Sequence, residues 1–323
     1  MNSVVSVIVV TYNSSQFVEE TLESISKQTW KDIELIITDD RSEDNTVEVC
    51  LKWINKNSDR FLRTEIIESD INTGVPANAN RGLYAAKGDW VAYIAGDDNF
   101  KPNHIKDNMD FIASRKEVKV LLSKIEVYQD SFKPENLIKV TPEDAFNPTS
   151  IMAPGRSADS QYRMLLRYDR IHYTPSLFIN RETLISIGAY DERFRMLEDY
   201  PLWLNLTKNG YKLYFMDKVT VRYRRHSRSI NKTVYEKLIN DSYFNEEEFR
   251  KIYTYPNMPV DIKLNERFTW YVLQIFRINW LNRNTKSREF LLVLLSAYLN
   301  PFRYYIWIKK KLNKELKNNE LYV

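Results

Sequence analysis

Three pairs of neighbouring acids stand where a chain turns or begins a helix. Asp39–Asp40 and Asp97–Asp98 each follow an apolar run, and Glu198–Asp199 precede a helical pattern. Adjacent carboxylates repel one another, so each pair costs free energy unless a cation or hydrogen-bond donors offset it. Acids of this kind can hold a divalent cation or accept a proton as a general base. Each pair can equally be a turn or the acidic first turn of a helix.

Apolar runs alternate with helical patterns over the first hundred residues. Strands are predicted at residues 4–10, 33–38, 63–68 and 91–95, and helices at 15–28, 45–57 and 77–86. The first helix is predicted to be capped by Ser14 or Ser15. This alternation is typical of a doubly wound parallel sheet, which binds ligands at the carboxyl ends of its strands. The polar residues after those strands should therefore meet in one crevice: Thr11, Tyr12, Asn13, Asp39, Asp40, Asp97 and Asp98.

The pattern changes along the rest of the chain. We predict a strand at 118–127, a long irregular loop at 140–170, a helix at 200–208 and a pair of strands within 212–226. Beyond residue 231 the segments are helical, aromatic and basic. The sequence thus predicts a domain over 1–230 and an appended C-terminal region over 231–323.

Composition limits the classes of protein that fit. The chain has 323 residues and a net charge of +4 from 47 basic and 43 acidic side chains, a balance that argues against a nucleic-acid partner. A single cysteine, Cys50, excludes internal disulfides and cysteine-rich metal sites. The N-terminus matches a buried strand and not a secretory signal, and the apolar stretch at 290–302 is shorter than the roughly 20 residues that span a bilayer. We expect a cytoplasmic protein.

Six motifs carry a family resemblance. In chain order they are VSVIVVTYN, LIITDDRSEDNT, NTGVPANANRG, GDWVAYIAGDD, GAYDERFRMLEDYPLW and VRYRRHSRS. Over residues 4–230 this ordered set resembles the inverting glycosyltransferases of family 2. The resemblance implies a GT-A fold: an α/β, mostly parallel sheet with a nucleotide-binding half at 1–100 and an acceptor half at 101–230.

The resemblance also implies an activity. Such enzymes move a sugar from a nucleotide sugar, usually a UDP-sugar, to a hydroxyl of a glycan or lipid-linked saccharide, as in the synthesis of bacterial surface polysaccharides such as O-antigen or capsule. Asp199 corresponds to the catalytic base, and Asp98 and His226 to ligands of Mn²⁺ or Mg²⁺. The donor-binding positions are Thr11, Tyr12, Asn13, Asp39, Asn72, Gly74, Asn80, Arg81 and Asp97. Two positions depart from the family pattern, because Ala95 replaces a further Asp and Ala79 replaces an Arg.

The chemistry explains these residue types. Carboxylate oxygens hold a hard divalent cation that stabilises a departing diphosphate, and inverting transfer needs a base for the acceptor proton. Gly96 should let two backbone segments approach, and the Arg224–Arg225 pair suits an anionic neighbour. Trp203 fits either the core or a platform for the acceptor. Two other functions compete: a nucleotidyltransferase, which needs a glycine-rich phosphate loop that TYNSSQ lacks, and an inactive carbohydrate-binding or scaffold protein.

The C-terminal region leaves two interpretations open. Aromatic and aliphatic residues around Trp307 run into a lysine cluster that comprises Lys309, Lys310, Lys311, Lys314 and Lys317. This pattern is typical of a helix that lies on an anionic membrane, which would place the protein peripherally on the cytoplasmic face of the inner membrane. It is equally typical of helices packed on the catalytic domain, followed by a solvated basic tail.

Overall fold

A computed structural model describes residues 3–227, 237–239 and 246–313, together with residues 316, 319, 321 and 322. Lys314 and Lys317 of the lysine cluster, and the predicted domain boundary at 230, lie outside these residues. The chain forms two compact units. The first comprises Met1–Gln161 and Arg170–His226, and the second comprises Tyr162–Asp169 and Ser227–Val323.

The first unit begins with a parallel α/β arrangement. Its elements are β1 (Val5–Thr11), α1 (Val18–Ser26), β2 (Ile33–Asp39), α2 (Thr46–Asn57), β3 (Arg63–Glu68), α3 (Val75–Ala85) and β4 (Trp90–Ala95). The strands pair in the order β3-β2-β1-β4, all in parallel. In the register, Thr11 stands opposite Asp39, and Asp39 opposite Glu68, so the carboxyl ends of three strands are level.

The central strands of this sheet are largely apolar and buried. Every residue of β2 is buried, as are six of the seven in β1, because helices cover the sheet. Helix α1 buries Val18, Leu22 and Ile25, which recur at helical spacing. At Gly82 in α3, an added Cβ would lie 2.4 Å from Cγ2 of Ile8, so this helix approaches β1 more closely than any larger residue would allow.

The rest of the first unit extends the sheet with mixed directions. The elements are β5 (Asn99–Phe100), α4 (His104–Ala113), β6 (Val120–Gln129), β7 (Leu137–Thr141), α5 (Ala158–Leu165, of which residues 162–165 belong to the second unit), β8 (Phe178–Asn180), α6 (Arg181–Ser186), α7 (Asp199–Lys208) and β9 (Leu213–Arg225). Strand β8 pairs antiparallel with β4 and β6, β9 runs parallel to β6, and β5 and β7 pair antiparallel with β9 and β6. The predicted α/β fold with a mostly parallel sheet is confirmed.

Three local predictions are wrong. Residues 212–226 form one 13-residue strand and not two, because Asp217 and Lys218 are accommodated as a bulge where the register with β6 shifts. The predicted loop at 140–170 contains helix α5. Helix α1 begins after Phe17 without a side-chain cap, and the backbone amides of Ser14 and Ser15 donate to Thr46 and Asp44 at the start of α2.

The second unit is helical over its described residues. It contains α8 (Glu247–Phe249), α9 (Val260–Ile275), α10 (Lys286–Val293) and α11 (Pro301–Leu312), with π-helical turns at Arg250–Thr254 and Leu294–Tyr298. Its core contains Val272, Phe276 and Leu281. Within the described residues, no single helix has the length and apolar character to cross a bilayer. One pair of helical segments has the required length and apolar character when taken together: Lys286–Tyr298 and Pro301–Leu312, which are separated by a bend of 51°.

Candidate active site

The loops after β1 and β2 are joined through Asp39. This carboxylate is buried and accepts hydrogen bonds from Thr11 Oγ1 (2.8 Å), Ser42 N (2.7 Å) and Ser42 Oγ (2.6 Å). Two of these bonds go to Oδ2 and one to Oδ1. Because each carboxylate oxygen can accept about two hydrogen bonds, Oδ1 retains capacity for one more donor. Asp39 can thus hold the loops together and still receive an N–H group from a ligand.

Tyr12 and Asn13 line the same edge of the sheet. The Tyr12 side chain is 46% exposed. Asn13 has a φ of 50°, a left-handed conformation that asparagine tolerates better than most residues. Two hydrogen bonds hold this residue: its backbone N–H donates to Ser42 Oγ (2.8 Å), and its side-chain Oδ1 accepts from Glu43 N (2.8 Å). The loop therefore presents the Tyr12 ring to solvent from a fixed backbone.

Asp40 anchors the Asn-x-Gly segment. Its buried carboxylate accepts from Thr73 N and Oγ1, from Gly74 N (2.7 Å) and from Arg81 Nη2 (2.8 Å). Burial alone would raise the pKa of Asp40, but these hydrogen bonds outweigh it and lower the pKa. Asp40 is consequently an ionised structural group that fixes the loop before α3.

Gly74 lies where two loops meet. Its φ is 95°, and an added Cβ would lie 2.6 Å from the carbonyl oxygen of Arg195. That same oxygen accepts from Val75 N (3.1 Å), while Arg195 Nη2 donates to Asn72 Oδ1 (2.8 Å). Only glycine fits this conformation and this approach. Asn72 and Gly74 thus hold the loop that leads into the Glu198–Asp199 pair.

Asn80 and Arg81 face the interior. Asn80 is buried, and its side chain bonds to Tyr190 O (2.9 Å), Tyr190 N (3.0 Å) and Glu192 Oε1 (2.8 Å). The Arg81 guanidinium donates to Asp40 and Thr73. Both side chains therefore support the loops around the crevice.

Gly96 brings β4 against the first loop. An added Cβ there would lie 2.9 Å from Ser14 Cβ and 3.0 Å from Thr11 Cγ2. The Gly96 amide also donates to Val10 O at 3.0 Å. The predicted close approach of the two segments is confirmed, and it places the Asp97–Asp98 pair beside the end of β1.

Asp97 and Asp98 occupy different environments. The Asp97 side chain is 26% exposed, and its Oδ2 lies 2.9 Å from His226 Nε2. Asp98 is 1% exposed, and its Oδ1 accepts from Arg224 N at 2.8 Å. Burial, followed by the charge of Asp97, raises the pKa of Asp98 well above its usual range. The chain thus pairs one surface acid with an imidazole and places the next acid in the interior.

Arg224 connects the two acids to the rest of the fold. Its guanidinium donates to Asp97 O (2.8 Å), to Asp130 O (2.9 Å) and to the Glu20 carboxylate. It also lies between the rings of Phe17 (4.6 Å) and Phe132 (4.1 Å). The expected anionic neighbour of Arg224 is, within the fold, the Glu20 carboxylate; the arginine side chain is buried, and all three of its guanidinium nitrogens donate hydrogen bonds. Alternation along β9 places Arg225 at the surface and Arg224 in the interior.

The metal candidates form a partial ligand set. Over the described ranges, no group of three or more His, Cys, Asp or Glu side chains is arranged to hold a metal ion. Asp97 Oδ2 and His226 Nε2 are nevertheless adjacent, and Asp98, whose Oδ1 accepts one hydrogen bond from Arg224 N, keeps lone pairs on its carboxylate oxygens for a cation. A divalent cation often takes only one or two protein ligands when substrate phosphates supply the rest. These residues fit a cation shared with a diphosphate.

The Glu198–Asp199 pair lies at the start of α7. Glu198 is the N-cap and Asp199 the first residue, a position where the helix dipole favours negative charge. Burial raises the pKa of Glu198. Burial and the neighbouring Tyr93 and Asp199 also raise the pKa of Tyr190, which belongs to the loop that Asn80 holds. Trp203, four residues beyond Asp199, is completely buried and therefore belongs to the core.

The sheet order and the polar loops at its carboxyl edge define a GT-A fold, as in TarS from S. aureus. TarS residues 1–349 in complex with UDP-GlcNAc superpose with a TM-score of 0.59 at 19% identity, over 84% of this chain and 76% of that chain. A longer TarS chain superposes with a TM-score of 0.55 at 22% identity, over 83% of this chain and 43% of that chain.

Residues 6–174 match the model for glycosyl transferase family 2, and the chain belongs to this family. It is 28% identical over 240 residues to the Escherichia coli protein named UDP-Glc:alpha-D-GlcNAc-diphosphoundecaprenol beta-1,3-glucosyltransferase WfaP, covering 74% of this chain and 84% of that protein. It is 24% identical over 303 residues to the amylovoran biosynthesis glycosyltransferase AmsB of Erwinia amylovora, covering 90% and 95%. The predicted family and the prediction of a glycosyltransferase enzyme are confirmed.

Proposed function

We propose that the protein transfers one sugar from a UDP-sugar to a hydroxyl acceptor, with inversion at the anomeric carbon. The observation that carries this proposal is the meeting of the Asp39 loop, the Tyr12 loop and the Asp97–His226 pair at the carboxyl edge of one sheet. Ligands of α/β sheets bind at this edge. The names of WfaP, which uses UDP-Glc, and of the TarS complex with UDP-GlcNAc support the choice of nucleotide.

The nucleotide would bind through the first two loops. The Tyr12 ring offers an exposed surface for the base, and Asp39 Oδ1 can accept one further hydrogen bond from a base N–H. Thr11 orients Asp39, and Asn13 fixes the loop. Asp97, partly exposed beside these loops, would bind the ribose. Asn72, Gly74, Asn80 and Arg81 would act indirectly, because their contacts hold the surrounding loops.

The diphosphate end would lie near Asp97, Asp98 and His226, with Mn²⁺ or Mg²⁺. A bound divalent cation would offset the charge that grows on the departing diphosphate. Asp98 and His226 would hold it, with Asp97 positioning the imidazole through the 2.9 Å contact. Arg224 would keep both acids in place through its backbone and side-chain donors.

Asp199 would act as the base. As the acceptor oxygen bonds to the anomeric carbon and the bond from that carbon to the diphosphate breaks, the hydroxyl proton passes to the Asp199 carboxylate. Asp199 is chosen over Glu198 because the acid of the family motif corresponds to Asp199, whereas Glu198 is the N-cap residue of α7. The acceptor we propose is a glycan or lipid-linked saccharide of a bacterial surface polysaccharide; WfaP is named for a diphosphoundecaprenol-linked GlcNAc and AmsB for amylovoran biosynthesis, which supports this choice.

The test measures donor binding and turnover separately. Wild type and the variants Asp98→Asn and Asp199→Asn would be mixed with a panel of nucleotide sugars, with and without Mn²⁺ or Mg²⁺. A donor that binds the folded state raises its melting temperature, and release of the nucleotide diphosphate reports turnover. Asp59→Asn serves as the control, because this acid is exposed and distant in sequence from every candidate position.

We expect Asp199→Asn to retain donor binding and to lower turnover roughly 10²- to 10⁴-fold, the range for loss of a general base. Asp98→Asn should weaken the metal-dependent part of donor binding, while Asp59→Asn should match wild type. Donor binding without turnover in wild type, with any saccharide acceptor, would instead support the inactive carbohydrate-binding protein. Wild-type turnover in both site variants would refute the assignment of these residues.

A further inference from the structure

Helix α11 has two chemically different sides. Phe302 and Ile306 are partly buried, and the Phe302 ring packs edge-on against Phe268 of α9 at 6.3 Å between centroids. At 3.6 residues per turn, the exposed residues fall on the other side of the helix. Five of them are large and apolar, with exposed fractions of 49% to 82%: Tyr304, Tyr305, Trp307, Ile308 and Leu312.

The helical segment before α11, residues 286–299, also exposes apolar side chains. Leu291, Leu292 and Leu295 pack against the core of the second unit. Four other apolar residues of the segment are exposed by 42% to 64%, namely Phe290, Val293, Tyr298 and Leu299. We call these four and the five of α11 the apolar face. Side chains of this size are rarely exposed together on a protein surface unless they contact a partner or a membrane.

Cations border the apolar face. Residues 286–313 contain six basic side chains and one acidic side chain, Glu289. Arg303 and Lys311 are exposed, and Lys311 Nζ lies 3.9 Å from the centroid of the Trp307 ring. Lys309 differs, because it pairs with Asp261 at 2.6 Å within the second unit. The cations beside the apolar face therefore match a partner that is apolar in its interior and anionic at its surface.

We propose that the apolar face lies in the interfacial layer of an anionic lipid bilayer, with Arg303 and Lys311 among the lipid headgroups. Tryptophan and tyrosine favour this layer, and lysine and arginine are attracted to anionic headgroups. The 12 residues of α11 extend about 18 Å, less than the roughly 30 Å of the hydrocarbon core. Because its other side packs on α9, the helix lies in the plane of the membrane and does not cross it. This proposal goes beyond the transfer reaction and does not depend on it.

Vesicle cosedimentation tests the proposal with the full chain. Wild type should sediment with vesicles of phosphatidylcholine and phosphatidylglycerol, and much less with vesicles of phosphatidylcholine alone. The double variant Arg303→Gln/Lys311→Gln should lower the partition coefficient on anionic vesicles at least tenfold, given the usual contribution of each cation near such a surface. Its matched control is Lys56→Gln/Lys116→Gln, two exposed lysines of the first unit that should leave binding unchanged.

A second pair of variants tests the apolar contribution. Trp307→Ser/Ile308→Ser should lower binding to anionic vesicles at least tenfold, whereas Leu62→Ser should not, although Leu62 is 61% exposed. Circular dichroism would verify that all variants fold. Release of the bound protein by high salt or carbonate is expected for a peripheral helix, and retention would overturn the in-plane arrangement.

Two further results would overturn the proposal. The first is equal binding of wild type to anionic and neutral vesicles. The second is unchanged vesicle binding by Trp307→Ser/Ile308→Ser together with loss of a dimer in sedimentation analysis, which would assign the apolar face to a second copy of the chain. Turnover of a donor with a soluble acceptor should be the same in all these variants, so failure here is distinguishable from failure of the proposed transfer reaction.

Discussion

Replacement of Arg224 by methionine tests how the acid pair is held. Methionine keeps much of the volume and the contact with the two aromatic rings, but it removes all five N–H donors of the guanidinium. The carbonyl oxygens of Asp97 and Asp130 and the carboxylate of Glu20 then lose their partner. The backbone amide at 224 remains, so Asp98 keeps its own hydrogen bond.

The three lost contacts contribute different free energies to stability. The Asp97 carbonyl lies in a partly buried site, where an unpaired acceptor costs about 1–3 kcal/mol. Asp130 is an exposed residue, so water can replace the guanidinium there at a cost of about 0.5–1 kcal/mol. Glu20 is 50% exposed, and solvent screening limits its pair with Arg224 to about 0–1 kcal/mol. Arg224→Met should therefore lower the free energy of unfolding by about 1.5–5 kcal/mol.

Activity should fall beyond what lost stability explains. Groups that orient metal or substrate ligands typically contribute about 10- to 100-fold in affinity or rate. We expect Arg224→Met to raise the KM for the donor or the metal by that range at temperatures where the variant is folded. Arg224→Lys, which keeps a charge and one donor atom, should recover part of the loss in KM. A purely structural role would change the melting temperature and leave KM unaltered.

The neighbouring Arg225 provides a matched control. Its side chain is exposed, so Arg225→Met should change the free energy of unfolding by less than about 0.5 kcal/mol. Urea denaturation and steady-state kinetics would be compared for the two variants. If Arg224→Met were as stable as Arg225→Met and had the same KM, the buried guanidinium would not position the acids, and the reasoning above would be refuted.

Three further predictions follow from buried positions. Burial lowers the pKa of His104 to about 3, so between pH 6.5 and pH 5 this side chain gains a proton only in the unfolded chain. Urea titrations should therefore show that wild type loses about 2 kcal/mol of stability over this pH range, and that His104→Gln does not show this loss. Gly96→Ala should lower the free energy of unfolding by about 1–3 kcal/mol, because the new methyl group meets Ser14, and an unchanged melting temperature would contradict this. Burial raises the pKa of Cys50 to about 12, so the native protein should resist iodoacetamide at pH 8 until it is unfolded, and rapid native labelling would count against this burial.

The first half of the fold could be predicted from local sequence patterns. Strands β1 to β4 and helices α2 and α3 begin and end within two residues of their predicted positions. Their signals are local: continuous β-branched runs for buried parallel strands and a 3.6-residue period for the helices. Loop positions followed from the same reasoning, because parallel strands end at one edge of the sheet.

Elements that depend on distant contacts were not accessible. Helix α5 begins in a polar stretch, and Gln161 anchors it through bonds to Leu213 N (2.9 Å) and Leu213 O (2.9 Å), more than fifty residues away. Strand β9 stays continuous because β6 accommodates its bulge at Asp217 and Lys218. Neither partner can be identified from the residues of the segment itself.

The Asp97–Asp98 pair shows the same limit within the site. Sequence identifies two neighbouring acids, but the free energy of each carboxylate depends on what surrounds it. Asp97 meets solvent and His226, whereas Asp98 is buried against the backbone of Arg224, which is more than a hundred residues away. A carboxylate in the interior gains most from a cation, because no water competes for its charge. If Asp98 serves to bind a cation, Asp98→Asn should stabilise the protein in the absence of metal and should weaken metal-dependent donor binding. Asp97→Asn should weaken metal-dependent donor binding without stabilising the protein.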